Sequence, residues 1–374
     1  MQFKDIIGHE GLKKRLINSV KNNRISHAQL FYGAEGTHKL ALATAYAQYI
    51  LCTDKKADDS CGVCHSCQKI NKLQHPDIHF FYPLPGKDIP DTSENWRKLL
   101  TQNDGHVSLE AWGKILEAEN KQFTIYTEQT LGIIREVGMK PFEAEYKVII
   151  IWLIEKLYHG AVSKILKSLE EPNDKTVFLL VTENYEDVVT TIISRTQLVK
   201  VNKYSDDEIR NALIDKYHAD THRASDIARI ADGNFSYALT LFKQGVDNDE
   251  LTLFIELTRN AFSYARTGKK FKDVSLSVDQ VAKLGREKIK EFLKFSLLMF
   301  QQSLYLNKNA SEIARITNDE NDFLSKFNQF VTINNIGSLY EETNKAIFHI
   351  ERNGNAQIVL TDYAIQIGFA LKKK

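Results

Sequence analysis

GAEGTHKL, residues 33–40, follows the apolar run Ala28 to Tyr32 and opens an alanine-rich run from Leu40 to Leu51. Strand, glycine turn, lysine and helix N-terminus in that order are the layout of a phosphate-binding P-loop, whose backbone N–H groups cradle phosphates while the lysine reaches along the nucleotide. Gly33, Gly36 and Lys39 hold the defining positions. Two others depart from a working GxxGxGK[ST] loop. His38 stands where a glycine lets the backbone approach phosphate, and Leu40 where a hydroxyl would hold Mg²⁺. Lys39 is open to two readings, a weak phosphate contact or a solvated residue at a helix start.

Working outward, Lys147 to Leu153 (KVIIIWL) and Val177 to Val181 are apolar runs of the kind that parallel strands covered on both faces show. The spacing predicts a helix before them over Thr127 to Val137, with Leu131, Ile134 and Val137 on one side, and one between them over Ala161 to Glu171, stopped by Pro172. A further helix is predicted from Tyr185 to Ile193. Strand and helix alternate over residues 28–201, which predicts an α/β P-loop domain with a parallel sheet. Residues 84–121 interrupt it with Pro83, Pro85, Gly86, Pro90 and Gly105 around two short helices carrying Trp96 and Trp112, and read as an insertion. Its aromatics either bind a partner from an exposed position or pack on their own domain. After Val201 no strand pattern remains: helices at 205–216, 223–231 and 237–243 make a small module, and a polar break covers 245–250. Ile336, Leu339, Thr343, Ala346, Ile347 and Ile350 keep helical spacing, as do Val359, Tyr363, Ile367 and Ala370. Three domains are expected, 1–201, 202–244 and 245–374, the last an all-α bundle.

Composition limits what the chain does. Its 374 residues are 43% hydrophobic, enough for two or three cores, and 49 basic residues against 48 acidic ones leave a net charge of +1. That balance excludes the overall basic field of a stand-alone nucleic-acid binder. Lys13, Lys14, Arg15, Lys21 and Arg24 make the first helix basic, either as a solvated face or as a face toward DNA. The opening lacks an apolar signal segment and no run approaches the ~20 residues that span a bilayer, so the cytoplasm, with no membrane partner, is the expectation.

Cys52, Cys61, Cys64 and Cys67 are the chain's four cysteines, the last three as CGVCHSC. Such clustering reads as metal binding before disulfides, and two-residue gaps let successive thiolates turn onto one tetrahedral centre. A structural Zn²⁺ held by four thiolates is the preferred reading; an iron–sulfur cluster and four reduced thiols remain open. His65 is a weaker ligand candidate, because four cysteines fill the shell.

ATP hydrolysis on such a fold also needs an apolar strand ending in acidic residues that hold Mg²⁺ and orient water. The candidate strand ends Ile151, Trp152, Leu153, Ile154, and Glu155 lies beyond it, expected to point elsewhere. Neither Trp152 nor Leu153 can coordinate a hard cation. Intrinsic hydrolysis is therefore not expected.

The chain resembles the AAA-plus family, and within it the delta-prime group of bacterial DNA polymerase III clamp-loader subunits. The matching stretches are FKDIIGHEGLKKRL and RISHAQLFYG, the C…CGVCHSC insertion with His75-Pro76-Asp77, SKILKSLEEP at 163–172 and TIISRTQ at 191–197. They cover residues 1 to about 240; the helical remainder fits only in general pattern. The resemblance implies that Trp152 and Leu153 replace the aspartate and glutamate of active members, and that Ser236, in GNFSYAL, replaces an arginine that touches nucleotide. It also implies that Ser194 and Arg195 close a helix at a subunit boundary, with the arginine reaching ATP held by a neighbour. Thr196 stands in for the family's usual cysteine. A helical lid, a C-terminal collar that joins a ring, and a stator role without hydrolysis follow as expectations. Implied partners are the gamma/tau motor subunits, the delta subunit, the sliding clamp and primed DNA. An active gamma/tau-like ATPase motor is the alternative.

Overall fold

The computed structural model describes all residues except 88–90, 103–106, 119–120, 245–248 and 374. Pro90 and Gly105 of the insertion and most of the polar break thus lie outside the described residues. The chain divides into two compact units, Met1–Thr240 and Leu241–Lys374.

In the first unit five strands, β1 (Ala28–Tyr32), β2 (Ile78–Phe81), β3 (Lys147–Trp152), β4 (Thr176–Val181) and β5 (Gln197–Lys200), form one sheet in the order β2-β3-β4-β1-β5. All pairings are parallel, and Leu30 of β1 lies opposite both Leu180 of β4 and Leu198 of β5. Because strand side chains alternate, Phe31, Val148, Ile150, Trp152, Val177, Leu179 and Val181 face the helix Lys39–Leu51, while Leu30, Ile149, Ile151, Phe178 and Leu180 pack in a separate core with helices Thr127–Gly138 and Val162–Glu170. Both faces are covered, which is why β3 and β4 are apolar without a polar alternate. Every residue of Lys39–Leu51 is buried, and the small side chains of Ala41, Ala43, Ala45 and Ala47 allow that close seating.

The α/β class and the helical C-terminal part agree with the sequence reading; several local features do not. Leu131 is exposed, because the buried face of its helix is Thr130, Ile133 and Val137. The helix expected from Tyr185 to Ile193 is instead a turn, Tyr185–Asp187, and a four-residue helix, Thr190–Ile193, separated by Val188 and Val189 in non-helical conformations. Trp96 and Trp112 sit on the expected helices, Ser93–Gln102 and Leu109–Ile115, and agree with the reading that packs them on their own domain: Trp96 stacks on Tyr82 at 4.2 Å between centroids and touches Trp152 at 5.3 Å. Lys13 is also buried, its ammonium on Ile6 O and Glu10, so the exposed basic face of the first helix is Lys14, Arg15 and Lys21.

His75-Pro76-Asp77 gains a structural meaning. The buried Asp77 carboxylate accepts the backbone N–H groups of Phe142, Glu143 and Ala144 at 2.5, 2.9 and 2.9 Å, tying the entry of β2 to the turn before β3. Burial by itself raises this carboxyl, but the three N–H donors and His75 outweigh it and hold the group below its ordinary value. A depressed carboxyl adds stability that is full above the unfolded value near pH ~4 and is lost as pH falls through the folded value. Asp77→Asn should therefore cost about 1–3 kcal/mol at neutral pH. In denaturant titrations the gap to the parent should close below pH ~4; a gap independent of pH would refute this role.

The second unit is helical, with Asp249–Thr267, Phe271–Ala282, Arg286–Asn307, Asn318–Phe327, Ile336–Glu351 and Ala356–Lys372 around a core that includes Phe254, Phe300 and Phe327. Leu339, Thr343, Ala346 and Ile350 are buried along one stripe of Ile336–Glu351. Among the described residues no helix is long and apolar enough to cross a membrane.

Candidate functional site: a closed P-loop, a surface arginine and a four-thiol cluster

The glycine loop leaves the C-terminal end of β1 and folds onto itself. Gly33 has φ 154° and Gly36 φ 71°; a Cβ on Gly33 would lie 2.1 Å from Val201 O, and one on Gly36 1.8 Å from Asn234 Oδ1. Both glycines thus allow close backbone approach, but the approach is by this chain's own residues. Phe235 N–H donates to Gly36 O at 3.1 Å. His38, at φ 58°, turns its ring into a cluster with Tyr204 and Phe235, and its Nδ1 hydrogen-bonds the Tyr204 hydroxyl. The Lys39 ammonium donates to Ala34 O, inside the loop, and the residue is 4% exposed. Burial pulls its pKa down, against the carboxylates of Glu183, Glu35 and Glu155.

Gly36, Lys39, Trp152 and Ser236, with Val107 and Ser108 of the insertion, line one cavity of ≈ 20 Å³. That is room for about one water, against the ~300 Å³ or more of a ligand pocket. Trp152 fills the end of β3 and braces the insertion's aromatic cluster, and Leu153 turns the chain at φ 56°. That turn brings Glu155 back instead of away: its Oε1 accepts the N–H of Glu183 at 3.0 Å. Burial, assisted by Glu35 and Glu155 and opposed by Lys39, pushes the Glu183 carboxyl up to about 7. Tyr204, Phe235 and Glu183 escaped the sequence reading, since a tyrosine in a polar linker and a lone glutamate after a strand carry no motif.

Ser194 and Arg195 lie elsewhere. They end the short helix that precedes β5, whereas the loop follows the end of β1, and β1 and β5 are parallel. The arginine and the chain's own loop thus lie at opposite ends of two adjacent strands, roughly 15 Å apart for a five-residue strand. The Arg195 guanidinium donates through Nε to Glu170 Oε1 at 2.5 Å, pairs through Nη2 with the same oxygen at 2.5 Å, and donates through Nη1 to Thr191 O at 3.1 Å and Ser194 Oγ at 3.2 Å.

Cys52 follows the helix Lys39–Leu51, Cys61 lies in a loop, Cys64 caps the helix His65–Asn71 and Cys67 sits in its first turn. The four Sγ atoms lie within 4.8 Å of one another, with separations of 3.7 Å (Cys52–Cys61), 3.9 Å (Cys52–Cys64) and 4.0 Å (Cys61–Cys67). Arms of ~2.3 Å to a tetrahedral centre require edges of about 3.8 Å. The backbone N–H groups of Cys61, Cys64 and Cys67 donate to the sulfurs of Cys52, Cys61 and Cys64 at 3.4, 3.2 and 3.4 Å. Burial disfavours the thiolate at Cys52, Cys64 and Cys67; at Cys64, hydrogen bonds from Thr53 and Cys67 overcome it and bring the thiol down to about 5, while at Cys67 the neighbouring sulfurs add to it. Four thiolates in this space need a compensating cation, and the cluster can hold a metal ion. His65 is exposed and outside the group.

A parallel sheet with a glycine loop between an interior strand and a buried helix defines a P-loop-type α/β protein. Residues 8–205 match the family described as DNA polymerase III, delta subunit, and the chain belongs to that family. It is 29% identical over 203 residues to the DNA polymerase III subunit delta′ of Bacillus subtilis, covering 54% of this chain and 50% of that protein. It is 27% identical over 250 residues to the DNA polymerase III subunit tau of the same organism, covering 66% of this chain and 38% of that one. The chain thus spans half or less of the length of these curated relatives. Among solved structures, a DNA polymerase III gamma-subunit-related protein of Thermotoga maritima aligns over 97% of this chain and 100% of its own, at 15% identity and a TM-score of 0.39.

Proposed function

We propose that this chain is a non-hydrolysing, delta-prime-type subunit of a DNA polymerase III clamp loader, which lends Arg195 to ATP held by a neighbouring subunit during loading of the sliding clamp on primed DNA. The observation that carries the proposal is the contrast between two basic side chains. Lys39 is spent inside its own closed loop, whereas Arg195 is partly solvated at the opposite end of the adjacent strand from that loop. Loss of a carboxylate at Trp152, of a hydroxyl at Leu40 and of an arginine at Ser236 points the same way. In this reading residues 1–201 are the nucleotide-binding-type domain, 202–244 a lid whose Tyr204 and Phe235 hold the loop shut, and 245–374 a collar that joins a ring with gamma/tau and delta subunits in the cytoplasm. The four thiolates hold Zn²⁺, which supplies a structural crosslink and, with its shell closed, no position for chemistry.

One observation favours the alternative, an active gamma/tau-like motor: Glu155 and Glu183 lie within electrostatic reach of Lys39. Yet Glu155 Oε1 is engaged by the backbone N–H groups of Glu183 and Asn184, and the cavity that Lys39 and Glu183 line has a volume of only ≈ 20 Å³. Purified chain should therefore give no Mg²⁺-dependent ATP turnover above that of Lys39→Met. Turnover that disappears in that variant would establish the motor instead.

A further inference from the structure

Glu170 is the last residue of the helix Val162–Glu170, where a carboxylate opposes the negative end of the helix dipole. Glu171 follows it directly, so two acids crowd a helix C-terminus that favours cations. A local rule broken without a stabilising gain marks a position kept for another purpose. The gain is not in stability here, because both partners of the Glu170–Arg195 pair are partly solvated, at 46% and 34% side-chain exposure, and such pairs contribute little.

The hydrogen bonds divide the labour at Arg195. Nη1 is held by Thr191 O and Ser194 Oγ, both neutral and both from the short helix and its cap. Nε and Nη2 both meet one oxygen of Glu170. Three guanidinium N–H groups donate within the chain, and Nη2 completes the ion pair. The short helix holds one side of the guanidinium; Glu170 holds the other and adds a negative charge to the group.

From this we infer that Glu170 is a positioning residue that masks the charge of Arg195 until a stronger anion, a phosphate group of the neighbour's nucleotide, takes its place. The inference rests on the reading of Arg195 as a trans-acting arginine. A triphosphate carries several negative charges against one on Glu170, so exchange favours the phosphate when the neighbour is loaded and the carboxylate when it is not. The mask sets how much ATP is needed to engage the arginine, not the rate once it is engaged.

The test is steady-state ATP turnover by the assembled complex containing parental chain, Glu170→Gln, Arg195→Ala or both changes. Glu170→Gln keeps the shape and removes the charge. It should lower the KM for ATP about two- to fivefold with kcat preserved, an effect that shrinks as salt screens the charges. Glu170→Asp should restore the parental KM, and the double variant should behave as Arg195→Ala alone. An unchanged or raised KM in Glu170→Gln, with Arg195→Ala still impaired, overturns the mask. Parental turnover by Arg195→Ala would instead remove the trans-arginine reading and the mask with it.

Discussion

Replacing Arg195 by alanine should slow ATP hydrolysis at the neighbouring site by ~10³-fold or more, the scale on which arginines supplied in trans act in other phosphoryl-transfer systems. A guanidinium suits this task because its charge is permanent and its planar donors match phosphate oxygens. The same geometry predicts that Arg195→Lys recovers only a small part of the rate, since an ammonium cannot reproduce the paired N–H contacts. Neither change should disturb the fold. The side chain is partly solvated and its ion pair is with an exposed glutamate, so the stability cost stays within about 1 kcal/mol. Single-turnover hydrolysis by the complex, with assembly checked by size-exclusion chromatography, separates a catalytic loss from a loss of the subunit.

The second large effect falls on stability. Purified chain should carry one equivalent of zinc and no visible absorbance, and removing the metal, or replacing the fully buried Cys67 by serine, should cost several kcal/mol in the first unit. The module is not isolated from its domain. Asp59 accepts the N–H groups of Phe3 and Lys4 at 3.1 and 3.0 Å, and Gln2 donates to Ser60 O at 2.5 Å, so loosening the thiol cluster also frees the N-terminal segment. Elemental analysis and thermal melts with and without chelator measure both parts. A colourless, metal-free chain with an unchanged melt would refute the structural zinc, and a coloured one would indicate an iron–sulfur cluster.

How far the sequence carried the reading depends on where the chemistry was local. The loop, the helix after it, β3, β4 and the thiol cluster are each encoded within a few residues, by spacing or by unbroken apolar runs. β2 went unrecognised because IHFF is too short to distinguish from a buried turn. The insertion's tryptophans were open to an exposed reading because nothing in residues 84–121 reveals that Trp152, decades of residues later, completes their cluster. The closure of the P-loop was likewise hidden, since it depends on Tyr204 and Phe235 meeting His38 across more than 160 residues of chain. The loss of catalytic groups was legible as substitutions; that the space itself is filled required the fold. Glu170 was in plain view within SKILKSLEEP, but its partner is 25 positions away and only the sheet brings them together.

The central claim is that this chain acts on a neighbour's ATP and not on its own. It is tested most directly by comparing, in one reconstituted complex, the ATP turnover of the parental chain with that of Lys39→Met and Arg195→Ala. Parental turnover is expected for Lys39→Met and a strong loss for Arg195→Ala. Loss in Lys39→Met with parental turnover in Arg195→Ala would contradict it.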